Sequence, residues 1–387
     1  MHIELSPRAL HVKPFLAMEI MERAKELEAG GRDIIYLCLG EPDLPTPEPV
    51  RNAAIQAIEA GSTTYTHSLG LPEIRQAIAD HYRQRYGVAV EASRILVSAG
   101  TSPLMLLLFS ALLNKGDELI LSDPSYACYP NFIRFAGGEP VFLRTRAEDG
   151  FQPRPEHIRE NLSPRTRGIL INSPSNPTGS VLPSAWLAEM ATMPVPLISD
   201  EIYHGLTYEG EERSVLEFTQ NAFVLGGFSK AYAMTGWRLG YLIVPASCIR
   251  TLQCLHQNFM ICAGNFVQVA GITALRDCQQ DVARMRAIYD QRRRYLIEEL
   301  PKLGLPLHSC PTGAFYALAD ARHLGQDSRK LALTILEETG VALTPGVDFG
   351  AGGEGYLRFS YANSLDNIKL ALARLRQFIA TRAADKA

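Results

Sequence analysis

The sequence has no surplus of basic charge. Its 38 lysines and arginines stand against 41 aspartates and glutamates, a formal net charge of −3. Nucleic-acid binding draws on a basic excess, so this balance argues against nucleic acid as the main partner. The seven cysteines (Cys38, Cys128, Cys248, Cys254, Cys262, Cys278, Cys310) are odd in number, scattered and without a C-x-x-C pair. That argues against a disulfide framework or a zinc site, and points to a reducing, cytoplasmic setting. The N-terminus, Met1-His2-Ile3-Glu4-Leu5-Ser6-Pro7, has no apolar signal core. The longest apolar stretch, about Pro103 to Leu113, is too short to cross a bilayer. Repeats and low-complexity segments are also missing. What is present is the composition of an ordinary globular protein, 47% hydrophobic and 20% charged over 387 residues, a length that suits two domains.

Short apolar runs alternate with helical patterns through the middle of the chain. The runs are Arg94–Val97, Glu118–Leu121, Pro140–Leu143, Gly168–Ile171, Pro196–Ser199, Phe223–Leu225 and Tyr241–Val244. They are continuous rather than alternating, which is the pattern of strands buried on both faces. The expected fold is α/β: a large domain with a mostly parallel seven-stranded sheet wrapped by helices, plus a smaller α+β domain. In the C-terminal third a charged helix is expected from about Gln280 to Leu300, ending near Pro301, and another from about Ser328 to Thr339. Strand-like segments lie at Ala314–Leu318, Val341–Thr344 and Gly355–Ser360, and a last helix closes the chain. A helix from about Pro14 to Glu28 and a short strand at Ile34–Leu37 are assigned to the small domain. The division is 1–44 for the arm and part of the small domain, 45–275 for the large domain and 276–387 for the rest of the small one.

In open α/β sheets ligands sit at the carboxyl ends of strands, so the residues that follow each expected strand matter most. Asn172-Ser173-Pro174-Ser175-Asn176-Pro177-Thr178-Gly179 follows one, Asp200-Glu201-Ile202-Tyr203 the next, and Ala99-Gly100-Thr101-Ser102-Pro103 an earlier one. Lys230 follows Ala222-Phe223-Val224-Leu225, inside Gly226-Gly227-Phe228-Ser229-Lys230, with Arg238 eight positions on. An amine delivered into a crowded strand end is costly to keep charged, which lowers its pKa and makes a nucleophile. Taken singly these residues have plainer explanations: a surface lysine, two linked turns, a helix cap, a packed tyrosine. Together they fit one ligand, an aromatic aldehyde with a phosphate, a phenolic oxygen and a ring nitrogen. Lys230 would form the Schiff base, Asp200 would keep the ring nitrogen protonated, and Asn176 and Tyr203 would donate to the ring oxygen. Thr101 or Ser102 as N-cap and Pro103 as first helical residue would open a helix whose free N–H groups take the phosphate with Arg238.

This arrangement resembles the class I/II aminotransferases of fold type I, which depend on pyridoxal 5′-phosphate. The resemblance runs from Leu39-Gly40-Glu41-Pro42-Asp43 to Leu357-Arg358-Phe359-Ser360. It is strongest at Asn176-Pro177-Thr178-Gly179, Asp200-Glu201-Ile202-Tyr203 and Gly227 to Gly240. It implies that Tyr126 stacks on the cofactor ring and that Arg358 grips the substrate α-carboxylate, with Gly40 and Asn176 beside the substrate. It also implies that Gly100, Thr101, Ser102, Ser229 and Arg238 surround the phosphate. Tyr65 would reach the phosphate of a neighbouring subunit, which makes a homodimer. One position departs from the family pattern: many relatives carry a phosphate-binding serine where this chain has Gly227, and Ser229 does not automatically replace it, since adjacent extended residues point opposite ways. The implied activity moves an amino group between an L-amino acid, with a lean to neutral or apolar ones, and a 2-oxo acid such as 2-oxoglutarate or pyruvate. Phe15, Leu16, Tyr126, Phe259 and Ile261 are candidates for an apolar substrate pocket. Two other readings are weighed against this one: a C–S β-lyase using the same cofactor, and a non-catalytic ligand-sensing domain. The second usually comes fused to a DNA-binding domain, for which the first fifty residues leave no room.

Overall fold

Seven segments of the middle of the chain pair into one sheet in the computed structural model, which describes residues 3–384. They are β1 (Ile95–Ser98), β2 (Glu118–Asp123), β3 (Glu139–Arg144), β4 (Thr166–Asn172), β5 (Leu197–Asp200), β6 (Ala222–Gly227) and β7 (Gly240–Ile243). Their order across the sheet is β1-β7-β6-β5-β4-β2-β3. All seven fall on the expected apolar runs. Successive residues serve opposite faces: Leu96, Leu170, Ile198 and Leu242 pack into one core, while Ile95, Ile169, Leu197 and Ile243 pack into the other. A sheet covered on both sides needs apolar residues at every position, which is why the runs are continuous. The mostly parallel expectation holds with one exception. β7 runs antiparallel to both β6 and β1, pairing Gly227 with Gly240 and Ser98 with Gly240. Residues 228–239, which join β6 to β7, form turns without a helix, whereas a parallel return needs a crossover that is usually helical.

The helix α2 (Thr101–Leu112) follows β1 and packs Leu104, Leu108 and Phe109 against the sheet. The short α3 (Tyr129–Phe135) follows β2. Beyond the sheet come α4 (Gln279–Lys302), which keeps Pro301 in its last turn, α5 (Ser328–Thr339) and α6 (Leu365–Ala384). A second, antiparallel sheet of three strands runs in the order β9 (Thr344–Pro345), β10 (Tyr356–Ser360), β8 (Tyr316–Asp320). Residues from the start of the chain join this part: Ile35–Tyr36 pairs with Val341–Ala342. The helix α1 (Leu16–Ala29) has no side-chain cap of its own. Asp348 supplies one from far along the chain, accepting the N–H groups of Leu16 at 2.9 Å and Ala17 at 3.1 Å. Positions 1–2 and 385–387, at the ends of the first and last assigned ranges, lie outside the described residues.

Candidate active site

The ends of β1, β2, β4, β5 and β6 open on one cavity of about 420 Å³ between the large sheet and the C-terminal strands. Lys230 stands on its wall, and its Nζ donates to the Gly40 carbonyl at 2.6 Å. Burial lowers its pKa from 10.5 to about 8, with Arg358 and Arg238 adding repulsion while Glu41 and Asp200 oppose the shift. Near pH 7.5 about a quarter of such amines are neutral and nucleophilic. The loop that carries it holds two non-glycine residues in the left-handed region, Ala233 (φ 49°) and Arg238 (φ 54°). Each such residue costs about 1 kcal/mol or more, and the loop is held by contacts that repay it, among them Thr46 to Ala233 and Glu41 to Thr235.

Asp200 ends β5 and is buried. Burial raises its pKa from 3.8 to about 6, against the pull of a Tyr129 hydroxyl at 2.6 Å and the Ile202 N–H at 3.2 Å. Asn172 ends β4 and orients Asn176: its Oδ1 accepts the Asn176 N–H at 2.8 Å. The Asn176 Oδ1 in turn accepts from Arg358 Nη1 at 2.8 Å. A guanidinium only donates, so the Asn176 amide nitrogen is left as the free donor. Arg358, from β10, is 2% exposed and also donates to the Cys38 carbonyl and the Thr344 hydroxyl. Its guanidinium carbon lies over the rings of Tyr316 (4.4 Å) and Phe349 (4.9 Å), and its Nε has no hydrogen-bond partner among the described residues.

At the other end of the cavity the start of α2 corrects the expected cap. Gly100, not Thr101 or Ser102, is the N-cap, with φ 92°, and no side chain caps the helix. Thr101 and Ser102 therefore lie in the first turn, where their hydroxyls join Ser229 and Arg238 on the cavity wall. Gly100 is required by more than its φ: a Cβ there would come within 2.6 Å of Arg238 Nη2. The departure at Gly227 also has a physical reason. A Cβ on Gly227 would lie 2.8 Å from Ile202 Cδ1, so Ile202 fills the space that a serine side chain would need.

Among the described residues, Lys230, Arg238 and Arg358 share one cavity, and their hydrogen-bond partners are neutral: the Gly40, Thr235 and Cys38 carbonyls, the Asn176 amide oxygen and the Thr344 hydroxyl. Three unpaired cations, a free helix N-terminus and one buried acid are a donor set for a dianionic phosphate, a carboxylate and a cationic ring nitrogen. Pyridoxal phosphate fits it group by group. The structure brings together Gly40, Thr101, Ser102, Tyr126, Asn176, Asp200, Tyr203, Ser229, Lys230, Arg238 and Arg358. Tyr65 is 80% exposed and stands away from the cavity of its own chain. Of the five candidates for the apolar pocket, Phe15 and Tyr126 line the cavity, with their rings edge to face at 6.1 Å. Leu16, Phe259 and Ile261 do not. Leu16 faces a neighbouring groove, while Phe259 and Ile261 lie at and just past the end of a helix with most of their surface in solvent or nearly so, 67% and 47% exposed. The sequence reading missed Tyr129, Asn172 and Tyr316. Tyr129 lies three residues after Tyr126 at the start of α3, and Asn172 is the last residue of a strand, so both had a positional signal. Tyr316 had none, because only the packing of the two sheets carries it to the cavity.

This sheet, with a lysine, an aspartate and an asparagine at adjacent strand ends and an arginine brought in from the smaller sheet, defines a fold-type I pyridoxal-phosphate enzyme. The chain belongs to the family described as aminotransferase class I and II, whose profile matches residues 32–375. It is a transaminase, and its cofactor is pyridoxal 5′-phosphate. It is 38% identical to the aspartate/prephenate aminotransferase of Thermus thermophilus over 97% of this chain and 98% of that protein. It is 37% identical to the valine–pyruvate aminotransferase of Mycobacterium tuberculosis over 95% and 97%. The solved aspartate aminotransferase of Thermus thermophilus with maleate superposes with a TM-score of 0.93, covering 97% of this chain and all of that one at 38% identity. These relatives carry aminotransferase names, which favours that activity over the β-lyase alternative. No helix among the described residues is long and apolar enough to cross a membrane.

Proposed function

We propose that the protein is a homodimeric, cytoplasmic aminotransferase for amino acids with neutral or apolar side chains, using 2-oxoglutarate or pyruvate as acceptor. The observation that carries the substrate preference is the composition of the cavity wall. Its three cations have assigned tasks, and the rest of the wall includes Phe15, Ala17, Met18, Leu39 and Met105, with the acid Glu41 and no fourth cation among the described residues. A second carboxylate would be desolvated there without a partner, whereas an apolar side chain gains about 25 cal/mol for each Å² it buries.

Bound pyridoxal phosphate supplies an aldehyde for the amino group and a ring that draws electrons from the substrate α-carbon. Arg238, Thr101, Ser102, Ser229 and the N–H groups after Gly100 would hold its phosphate. Asp200 would hold the proton on its ring nitrogen, Asn176 and Tyr203 would donate to its ring oxygen, and Tyr126 would lie on its face. Arg358 takes the substrate α-carboxylate, already fixed in position by its bonds to Asn176, Cys38 and Thr344. Lys230 Nζ takes the proton from the substrate α-carbon, and its lowered pKa leaves it able to accept that proton near neutrality. Lys230→Ala is expected to lose transamination by at least about a thousandfold, together with the long-wavelength absorbance of the bound cofactor. A variant that keeps both at wild-type level refutes the assignment. Half-reactions with each of the twenty amino acids, followed by loss of that absorbance, test the preference; faster turnover of aspartate and glutamate than of every apolar amino acid refutes it.

The dimer reading is supported by large apolar side chains left in solvent near one another in sequence or structure: Ile58, Tyr65, Phe259 and Ile261, with the Thr66 N–H donating to Cys262 Sγ. Tyr65 reaches the partner's phosphate in this reading. The compartment is supported by seven free cysteines, two of them fully buried. The assigned ranges 1–44, 45–275 and 276–387 belong to the same proposal.

A further inference from the structure

Tyr316 lies against three of the groups on the cavity wall, Arg358, Tyr203 and Gly40. Its residue is 1% exposed, at the start of β8. On the adjacent strand Arg358 pairs with Leu318, which makes Tyr316 its diagonal neighbour on the same face. The Tyr316 ring lies 4.4 Å from the Arg358 guanidinium carbon. Its hydroxyl is 2.8 Å from the Tyr203 hydroxyl. The same hydroxyl rests against the Cα of Gly40, where a Cβ would overlap it, and the Gly40 carbonyl is the acceptor for Lys230. Packing alone would be served by phenylalanine. A buried hydroxyl needs a partner, and here the partner is another hydroxyl that has a second task.

We propose that Tyr316 is a positioning residue with two separable parts, a ring that holds Arg358 flat for the substrate carboxylate and a hydroxyl that sets the direction in which Tyr203 donates. The inference rests on the roles given above to Arg358 and Tyr203. Either hydroxyl of the pair can be the donor. Once an anionic ring oxygen accepts from Tyr203, the Tyr203 proton is committed, and Tyr316 donates to the Tyr203 oxygen. Chained hydrogen bonds polarise one another, so Tyr203 becomes the stronger donor and the ring oxyanion is further stabilised. The charged and titratable groups that face the pair are Arg358 from β10, Lys230 and Asp200 at the strand ends, Glu41 from the segment before the large sheet, and Tyr126 and Tyr129 from β2's end and α3. None of them is altered by removing the Tyr316 hydroxyl.

Two variants separate the parts. Tyr316→Phe keeps the ring and removes the hydroxyl; Tyr316→Leu removes both. The readouts are the pH midpoint of the absorbance of bound pyridoxal phosphate in the holoenzyme, and KM against kcat for the amino acid. For Y316F the midpoint should rise by about 0.5 to 1 pH unit, the effect of one lost hydrogen bond, with KM within about twofold of wild type. For Y316L the midpoint should rise equally and KM should increase about tenfold, from loss of the platform under Arg358. An unmoved or lowered midpoint in Y316F overturns the hydroxyl's part. A KM raised equally in Y316F and Y316L, or in neither, overturns the ring's part. Wild-type protein that takes up no pyridoxal phosphate would overturn the underlying site reading, a result that neither variant can mimic.

Discussion

Asp200→Asn should make the cofactor-free protein more stable while removing its activity. The structure sets the size of the effect. Burial lifts the Asp200 pKa from 3.8 to about 6, so the native carboxyl holds its proton more tightly than the unfolded one. For a group with a raised native pKa, stability falls as pH rises from the unfolded value to the native one, and the full penalty remains above it. A rise from 3.8 to about 6 corresponds to about 3 kcal/mol at 1.36 kcal/mol per pH unit. Asparagine can keep its Oδ1 on the Ile202 N–H and turn its amide NH2 to donate to the Tyr129 oxygen, whose hydroxyl proton rotates away, and it has no charge to desolvate. For a chain of this length 3 kcal/mol is about 4 °C in melting temperature. Stripped wild type and D200N should therefore melt together near pH 4 and diverge as pH rises, until D200N leads by about 4 °C at pH 8. With pyridoxal phosphate added the order should reverse, since asparagine cannot pair with a cationic ring nitrogen, and breaking a buried ion pair costs about 3 to 5 kcal/mol. A stripped D200N that is less stable at pH 8, or a gap that does not change with pH, refutes the reasoning.

Tyr129→Phe deletes a charge-assisted bond to the same carboxylate, so the pH midpoint of that stability gap should move up by about one unit or more, and an unmoved midpoint would show that Tyr129 does not bear on Asp200. Gly100→Ala brings a Cβ within 2.6 Å of Arg238 Nη2 and should weaken pyridoxal phosphate binding at least about tenfold in a titration of stripped protein. Gly210→Ala is the control: its φ of 83° carries similar backbone strain but its Cβ meets nothing within 4 Å, so stability should drop while cofactor affinity stays. Equal affinities for G100A and G210A would dissociate Gly100 from the phosphate site.

All seven strands of the large sheet were legible in the sequence because each core face claims alternate residues of every strand, which leaves an uninterrupted apolar run. The strand-end groups followed from that, since a ligand crevice lies at the carboxyl ends of such strands. Lys230, Asp200 and Asn176 meet around one cavity for this reason. The direction of β7 was not legible from composition, because a strand buried on both faces reads the same whichever way it runs. The helix cap was misplaced by one or two residues because Thr101 and Ser102 are good caps by type, whereas the backbone turns at Gly100 with a φ that glycine adopts freely.

The sequence by itself determined which groups stand at the strand ends, because local burial and chain order place them there. Only the tertiary structure decided what those groups face. Arg358 and Tyr316 come from a separate sheet, and nothing in their local pattern distinguishes them from other strand residues. Their task comes from side-chain packing across the cavity, where Tyr203 meets Tyr316 and Asn176 meets Arg358 over sequence separations of 113 and 182 residues. The same holds for Gly227, where Ile202 occupies the room that a serine would need. Periodicity and motif spacing are local properties of the chain. Shape complementarity between distant segments is not, and it appears only when the fold closes.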